Sequence, residues 1–455
     1  MKLRNLLFAG ALLMGLASCD RLLDFEPGDV ILAEDAINTA DDLQRLLVSS
    51  YDVLGNLYGG RIQIINELRG DNFGSPDNSL DFDAVYNRET TFFTGINGGA
   101  YTDFYFAIYR SNVMIENFEL VSDLSEAERN RMEAEARFIR AVCHWGAVKL
   151  FAQPYGYTSD NSHLGVPLRL ETSQEPLPRA TVGDVYAAIL EDLEFAAANL
   201  PESNGVYATK YSALGYLAQV NFLMLNFEAA ADYATQVINS GAFELDADLD
   251  RYEADVVNPE TVFGIISRIQ DNRSTWYRDN LRSDNNPSPQ LSFSEDFNFF
   301  MSLSGGGDAR SSWITNTGTR YLCNRFNDKE YFNVPVVHLT GLHLLRAEAL
   351  AELGTDLSTA IADVNAIRDR AFGAGNNPLS EDATATEVRD AARDEFRKET
   401  VCEGQWTDQL VRRGVMGEDI EIRGAPWDCP GMLLQFSNSE TTAAGFVLNE
   451  EGGCL

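Results

Sequence analysis

Histidine and positive charge are both scarce in this chain of 455 residues. It contains four histidines, and the nearest two, His338 and His343, are five residues apart rather than the four that place two metal ligands on one helical face. The sequence has no Gly-x-Ser-x-Gly nucleophile motif and no glycine-rich phosphate loop. It therefore predicts no catalytic residue, no metal site and no cofactor. With 69 acidic residues, a glycosidase pair of carboxylates that meet only in space stays open.

The shortage of positive charge bears on partners. Lys and Arg together number 35 against 69 Asp and Glu, so the formal net charge is −34. Such a chain would repel nucleic acid and anionic lipid surfaces, because both carry negative charge. Hydrophobic residues make up 45% and aromatic residues 11%, which indicates a folded protein with a large core. The composition suits a well-solvated surface and a neutral ligand.

The first residues have the pattern of a lipoprotein signal. Lys2 and Arg4 precede a short apolar stretch, and Leu16-Ala17-Ser18 leads directly to Cys19. The apolar stretch is shorter than the roughly 20 residues that cross a bilayer. We expect residues 1–18 to be removed and Cys19 to carry the lipid, which would anchor the mature chain 19–455 to a membrane. The alternative is a secreted protein with a chance cysteine at its cleavage site.

Cysteine is also scarce, with six residues in all, no Cys-x-x-Cys pair and no zinc-ligand spacing. Cys143 and Cys402 fall in helical patterns and are predicted to be buried thiols. Cys429 and Cys454 both fall in an irregular C-terminal region. A disulfide between these two and a pair of free thiols remain equal alternatives.

Helical periodicity dominates the chain, and several start and stop signals support it. Ser125 with Glu128 forms a capping box, Thr181 precedes another helix, and Pro201 and Gly241 stand where helices should end. The predicted helices are approximately 40–54, 103–121, 125–151, 182–200, 209–224, 227–240, 337–354, 357–371 and 385–412. The stretches without a regular period are 55–102, 242–335 and 413–455. Loops this long are usually functional or contain short strands of their own.

A weak internal repeat appears when residues 209–240 are laid over residues 339–370. Each segment predicts a helix, a tight turn and a second helix, with alanine where the two helices cross. Small residues at a crossing let helices approach closely, as in tetratricopeptide hairpins. Two unrelated amphipathic hairpins are the alternative. We predict a mainly α fold, in which a helical-hairpin scaffold over about 103–241 and 337–412 displays a loop-rich part with few short strands.

Several motifs in one order and spacing resemble the SusD/RagB family of outer-membrane nutrient-binding lipoproteins of Bacteroidetes-type bacteria. They are Glu135-Ala136-Arg137-Phe138-Ile139-Arg140-Ala141, Pro178-Arg179-Ala180-Thr181-Val182, Leu345-Arg346-Ala347-Glu348-Ala349, Asp363-Val364-Asn365-Ala366-Ile367-Arg368 and Glu403-Gly404-Gln405-Trp406. The last forty residues depart from the family, since Leu433-Leu434-Gln435-Phe436 replaces its usual Phe-Pro-Ile-Pro run. The likeness covers most of the mature chain.

The resemblance implies a single domain over 19–455, a tetratricopeptide-like scaffold and a position on the outer membrane facing the cell exterior. It also implies a partner, a SusC-like TonB-dependent transporter, and a ligand, an oligosaccharide or in some members a peptide. The expected function is capture of that ligand without catalysis. A surface glycoside hydrolase or lyase and a pure protein-interaction module are the alternatives.

Sugar recognition needs flat aromatic faces with hydrogen-bonding groups beside them, and the irregular stretches contain that mixture. Trp276 and Trp313 are the main candidates, because both have strongly polar neighbours in sequence, and the alternative is that each pins its own loop. The candidate ligand-binding residues are Asp71, Asn72, Tyr86, Arg88, Trp276, Tyr277 and Trp313. Trp145 and Trp406 lie in helical patterns and are predicted to be core residues. Arg137, Arg140, Glu348 and Arg368 are predicted to form structural ion pairs between helices.

Overall fold

The computed structural model of the protein describes residues 37–173, 175–286 and 288–454. The predicted signal peptide 1–18 and the predicted lipid-bearing Cys19 lie outside the described residues. Within them, most of the regular structure is α-helical and the strands are few and short. The predicted mainly α fold is therefore confirmed. None of the described helices is long and apolar enough to span a bilayer.

Most helices begin and end close to the residues that the sequence signals indicate, but the predicted helix 103–121 spans Gly95–Glu116. Thr39, Ser125 and Thr384 each form a capping box, in which the side chain accepts a hydrogen bond from a backbone amide of the first turn. The helices of the first half are α1 Ala40–Tyr58, α2 Arg61–Arg69, α3 Leu80–Tyr86, α4 Gly95–Glu116, α5 Glu126–Phe151, α6 Val182–Asn199, α7 Lys210–Leu223 and α8 Phe227–Ile238. Those of the second half are α9 Thr275–Leu281, α10 Glu295–Ser302, α11 Leu339–Leu353, α12 Leu357–Phe372, α13 Ala385–Glu399 and α14 Trp406–Val415.

The two segments of the internal repeat are helical hairpins that pack on each other. Helices α7 and α8 form one, α11 and α12 form the other, and α8 packs against α11. Ala230, Ala234, Ala347 and Ala360 are all fully buried at the crossings. Because alanine adds no bulk beyond Cβ, the helix axes can come close together. The predicted tetratricopeptide-like scaffold is present in this form.

Three two-stranded antiparallel sheets lie in the loop-rich stretches. Strand β1 Thr261–Ile265 pairs with β4 Val334–His338, and β2 Ile314–Asn316 pairs with β3 Tyr321–Cys323. The third sheet joins β5 Glu421–Ile422 to β6 Ala425–Pro426. Val334 and Val337 are fully buried, so β4 enters the core directly before α11. The long loops thus contain short strands, as loops of this length often do.

The prediction of one continuous helix over 385–412 is wrong, because the chain turns between α13 and α14. Cys402 and Gly404 have φ angles of 74° and 68°, a left-handed conformation that ends a right-handed helix. A Cβ on Gly404 would lie 2.6 Å from the Cα of Gln63, so this position also requires close backbone approach. The stretch 55–102, predicted to be irregular, holds α2, α3 and the start of α4.

A buried cluster of charges joins the loop-rich stretches to the scaffold. Arg310, fully buried, contacts Glu399 of α13 at 3.0 Å and Glu395 at 2.6 Å. Arg251 contacts Glu399 and Glu403, each at 2.8 Å. A buried charge is tolerated only when paired and hydrogen-bonded, so these residues hold the loops in one position on the helices.

The charges predicted to be structural do form ion pairs. Arg140 of α5 contacts Asp192 of α6 at 2.7 Å, and Arg137 contacts Asp192 at 3.5 Å as well as Glu133 of its own helix at 2.9 Å. Glu348 pairs with Arg393 and Arg412, and Arg368 pairs with Glu395 at 3.2 Å. Trp145 and Trp406 are each 5% exposed, as predicted for core residues.

The five cysteines in the described part of the chain fall into two groups. Cys429 and Cys454 are joined by a disulfide with a Cα–Cα distance of 5.2 Å. Of the two alternatives that the sequence left open, a disulfide or two free thiols, the structure has the disulfide. Cys143 and Cys402 are buried free thiols, as predicted, and so is Cys323.

Candidate functional site

An open depression of about 560 Å³ lies where α2, α3, α4 and α9 approach each other. Its volume falls within the range of small-molecule sites, roughly 300–1,000 Å³. The residues that line it come from four separate segments of the chain: Arg61, Ser79, Asp81, Phe82, Gly95, Ile96, Thr275, Trp276, Asp279 and Asn280. It combines aromatic rings with groups of both charges, and it is open to solvent.

Trp276 and Arg61 form the centre of this depression. The Trp276 side chain is half-buried, and the Arg61 guanidinium carbon lies 5.8 Å from the centroid of its ring. Phe82, 5% exposed, supports Trp276 from the protein side with a centroid distance of 6.2 Å. A ring supported in this way keeps a fixed face for a ligand, because it loses little conformational freedom on binding.

The Arg61 guanidinium is held by two partners and keeps one group without a partner. Its Nη1 donates to Asp103 Oδ2 at 2.7 Å and its Nη2 donates to the Ile96 carbonyl at 3.4 Å. Its Nε is buried and has no hydrogen-bond partner among the described residues. Burial lowers the pKa of Arg61, and the Asp103 carboxylate opposes that change. A buried donor without a partner costs stability, and a ligand in the depression would reach it only if the Arg61 side chain moved.

Two glycines make this arrangement sterically feasible. Gly60 has a φ angle of 118°, and a Cβ there would lie 2.7 Å from the Tyr277 ring and 3.0 Å from Trp276 Cβ. A Cβ on Gly99 of α4 would lie 2.2 Å from Arg61 Nη2. Glycine at these positions therefore lets α9 approach the start of α2 and lets the guanidinium lie across α4.

Asp81 fixes the rim of the depression. Its Oδ1 accepts the Gly95 amide at 3.2 Å and its Oδ2 accepts the Ile96 amide at 2.8 Å. A carboxylate in this position caps the N-terminus of α4 and is stabilised by the helix dipole. Its remaining lone pairs can accept hydrogen bonds from a ligand hydroxyl.

Two large apolar side chains are exposed beside the rim. Leu80, between the lining residues Ser79 and Asp81, is 90% exposed, and Phe93, two residues before Gly95, is 84% exposed. Single exposed apolar side chains are common on protein surfaces, so these two do not by themselves mark a contact surface.

Chemically, the depression offers an aromatic face, a guanidinium and two carboxylates, those of Asp81 and Asp279. Asp279 is exposed and accepts the Arg278 Nε at 2.7 Å. These groups can stack on a sugar ring and exchange hydrogen bonds with its hydroxyls. No group of three or more potential metal ligands occurs in the described part of the chain.

Other concavities have a different character. One of about 380 Å³ follows Glu202–Tyr207 and the β1 strand, and one of about 190 Å³ lies beside it, next to α1. Two further pockets among the helices have volumes of only about 40 and 60 Å³. The depression at Trp276 is larger than these four.

The structure places the seven predicted ligand-binding residues in different environments. Trp276 lines the depression. Asn72 is fully buried, where its amide donates to Glu67 and accepts from Arg397. Asp71 accepts the Trp406 indole N–H at 2.8 Å. These two side chains connect α2 to α13 and α14 rather than facing the depression.

The four other predicted residues also contact the protein. Tyr277 is fully buried against Phe326, with a centroid distance of 4.9 Å. Trp313 is 8% exposed, and the Arg325 guanidinium lies 4.2 Å from its ring centroid, so a charged side chain accounts for its polar surroundings. Tyr86 lies under the Arg423 guanidinium, and Arg88 donates to the Ile422 carbonyl. Ligand contact by these four residues stays a prediction. Their contacts with the protein favour the alternative, in which each side chain fixes the conformation of its own loop.

Arg61 and Asp81 were not predicted from the sequence. Arg61 follows Gly59-Gly60 directly, and a basic residue after two glycines at a helix start was the available signal. Asp81 lies two residues after Ser79, the N-cap of α3. An acidic residue in the first turn of a helix indicates helix capping and does not by itself predict a ligand-binding residue.

The chain is similar to one family of known proteins over two long segments. Residues 23–222 match the family described as "starch-binding associating with outer membrane", and residues 305–424 match the SusD family. SusD-like protein P25 of Formosa agariphila is 24% identical over 58% of this chain and 50% of its own length. SusD-like protein P2 of the same organism is 27% identical over 51% of this chain and 45% of its own length. The chain thus spans about half the length of the curated relatives it matches.

Solved structures show the same fold. A SusD superfamily protein from Bacteroides vulgatus has a TM-score of 0.79 at 21% identity, covering 91% of this chain and 99% of its own. A protein described as a laminarin-binding SusD-like protein has a TM-score of 0.73 at 20% identity, covering 91% of this chain and 100% of its own.

Proposed function

The chain belongs to the SusD/RagB family, and on that premise we propose that it captures oligosaccharides at the depression around Trp276 and delivers them to a SusC-like, TonB-dependent outer-membrane transporter. The observation that carries this proposal is the pairing of the supported Trp276 ring with Arg61 and Asp81 in one open site. The family description as starch-binding and the laminarin-binding neighbour support a carbohydrate as ligand.

The hydrogen bonds of Asp81 support capture rather than cleavage. Both oxygens of Asp81 already accept helix amides, which favours a fixed acceptor over a proton donor. The net charge of −34 disfavours anionic polysaccharides, because repulsion would reduce their local concentration. The expected ligand is a neutral glycan.

Attachment to the membrane would come from a lipid on Cys19. The acidic residues Asp20, Asp24 and Glu26 directly after it are compatible with acidic sorting signals for export to the outer face. Replacing Cys19 by alanine should abolish incorporation of labelled palmitate and release the protein from the membrane fraction. Unchanged incorporation would contradict this part of the proposal.

Titration calorimetry of the mature chain with a panel of glycans tests the binding function. The panel contains laminarin, starch oligosaccharides and a matched set of neutral peptides, and each mixture is also analysed for cleavage products by chromatography. We expect saturable binding of at least one neutral glycan and no products. Turnover of a glycan would favour a hydrolase or lyase, binding of peptides alone would favour the peptide-binding alternative, and binding of neither would favour a protein-interaction module.

A further inference from the structure

The concavities of about 380 and 190 Å³ beside strand β1 form one continuous groove, the β1 groove. Five residues line both of them: Val206, Tyr207, Phe263, Gly264 and Ile266. The groove extends from Phe243 past Tyr207 to Val48 of α1, and its larger part alone has the volume of a small-molecule site. It shares no lining residue with the depression at Trp276.

Two half-buried aromatic rings line the β1 groove, and a second ring supports each of them. Tyr207 lies against Tyr51 of α1 with a centroid distance of 4.8 Å. Phe243 lies against Tyr211 of α7 with a centroid distance of 5.7 Å. Each ring therefore has one side fixed by the protein, which leaves a defined aromatic surface for a ligand.

Hydrogen bonds hold the loop that carries Tyr207. The Ala208 amide donates to the Tyr51 hydroxyl at 3.1 Å, and that hydroxyl donates to Glu135 of α5 at 2.7 Å. Within the loop, the Tyr207 amide donates to the Asn204 carbonyl at 3.1 Å, and the Asn204 side chain donates to the Ala208 carbonyl at 3.0 Å. Because this wall is already ordered, a ligand that binds against it loses little affinity to ordering of the loop.

The charged residues that line the β1 groove all have a partner of opposite charge. Arg273 contacts both Asp52 and Asp271, the second at 2.7 Å. Glu202 lies 4.0 Å from the Lys210 ammonium. No lining charge is left to attract an ion, so the groove favours a neutral ligand.

The neutral polar groups of the groove suit hydroxyls better than an added peptide strand. The hydroxyls of Ser203, Tyr207 and Thr261 make no hydrogen bond with other residues in the part of the chain that the structure describes. A hydroxyl both donates and accepts, as the hydroxyls of a sugar do. In contrast, the Val262 carbonyl of β1 already accepts the Ser212 hydroxyl at 2.9 Å, which removes a backbone acceptor that strand addition would use.

We propose that the β1 groove is a second binding site for a neutral oligosaccharide, in which Tyr207 and Phe243 contact the sugar rings. The inference rests on the proposed function for the class of ligand, but it assigns that ligand to a separate set of residues. Two sites on one protein retain a glycan that is long enough to reach both more strongly than one site does, because binding at the first raises the effective concentration at the second.

Hydrogen exchange of the mature chain, measured by mass spectrometry, tests the inference. The probes are laminarin oligosaccharides and starch oligosaccharides, and each protein is compared with and without the probe. We expect at least one probe to slow amide exchange in residues 202–209. This slowing should persist in Trp276→Ala, whereas exchange in residues 275–281 reports separately on the Trp276 depression.

A blocking variant and its matched control locate the site. Val206 is 49% exposed in the groove, so Val206→Lys should fill the groove without disturbing the core and abolish the slowing in 202–209. Val447→Lys is the control, because Val447 is 54% exposed and does not line the groove. Tyr207→Ala should raise the probe concentration for half-maximal slowing at least roughly tenfold, whereas Tyr207→Phe keeps the ring and should change it little.

The two segments separate failure of this inference from failure of the proposed function. Absence of slowing in 202–209 with every probe, or its loss in Trp276→Ala, would overturn the inference. Slowing in 275–281 alone would therefore overturn it and leave the proposed function intact. Slowing in 202–209 alone would support the β1 groove and contradict the depression as the ligand site.

Discussion

Replacing Arg310 with methionine should destabilise the protein more than almost any surface substitution. The Arg310 side chain is fully buried and contacts Asp308, Glu395 and Glu399 at distances between 2.6 and 3.0 Å. Methionine preserves much of the volume but removes the charge. The three carboxylates would then lose a shared partner in a region from which water is excluded.

The size of the effect follows from which carboxylates keep other partners. Glu395 and Glu399 each have further cations within reach. These are Arg368 and Lys398 for Glu395, and Arg251 and Arg370 for Glu399. Asp308 has no second ion pair among the described residues, so one buried charge is left uncompensated. Removing one partner of a buried pair costs about 3–5 kcal/mol. With an unfolding entropy of roughly 2.1 cal/mol/K per residue, a chain of this length should lose about 3–5 °C in Tm.

Urea denaturation followed by circular dichroism measures the loss directly. The matched control is Arg45→Met, because Arg45 pairs with Asp41 on the surface with 74% of its side chain exposed, and an exposed pair contributes about 0–1 kcal/mol. Adding Asp308→Asn to the Arg310 variant should restore part of the stability, since it neutralises the stranded charge. A loss below about 1 kcal/mol for Arg310→Met, or a double variant no more stable than the single one, would refute the reasoning.

Three further predictions concern stability. Burial raises the pKa of Glu67 from 4.5 in the unfolded chain to about 7 in the folded protein. The free energy of unfolding should therefore be highest below pH 4.5 and fall by about 3 kcal/mol as pH rises to 7 and the folded protein loses this proton. Urea denaturation of Glu67→Gln at several pH values should lack this fall. Replacing Cys429 and Cys454 with serine opens a loop with a sequence separation of 25, and calorimetry should record a loss of about 3 kcal/mol. Gly404→Ala meets Gln63 and a positive φ, so thermal melting should show a loss of about 2–4 kcal/mol, and an unchanged Tm would contradict the close approach.

The helices were predictable because their signals are local. A capping box such as Ser125 with Glu128 depends on residues a few positions apart. The break between α13 and α14 was not predictable in this way. It depends on Gly404 approaching Gln63, which is more than 300 positions away, and on Glu403 turning towards Arg251. At this turn, contacts between residues far apart in sequence outweigh a local pattern that favours a continuous helix.

The candidate site was predictable only in part for the same reason. Trp276 is recognisable as a tryptophan in a polar segment, but Trp313 gives the same signal and is covered by Arg325. Polar neighbours in sequence do not show whether a ring faces solvent or a buried cation. Arg61 joins the site through Asp103 and Gly99 of α4, and no pattern in the chain relates those positions to Trp276.

Titration of Trp276→Ala with the glycan that the wild type binds is the most direct test of the central claim. Phe299→Ala is the matched control, because Phe299 is an aromatic residue 65% exposed on α10 and does not line the depression. Loss of a central aromatic contact typically costs about 2 kcal/mol or more, so we expect Kd to rise at least roughly 30-fold for Trp276→Ala. Kd should be unchanged for Phe299→Ala, and both variants should remain folded by circular dichroism. A folded Trp276→Ala variant that binds the glycan as tightly as the wild type would contradict the assignment of this depression as the ligand site.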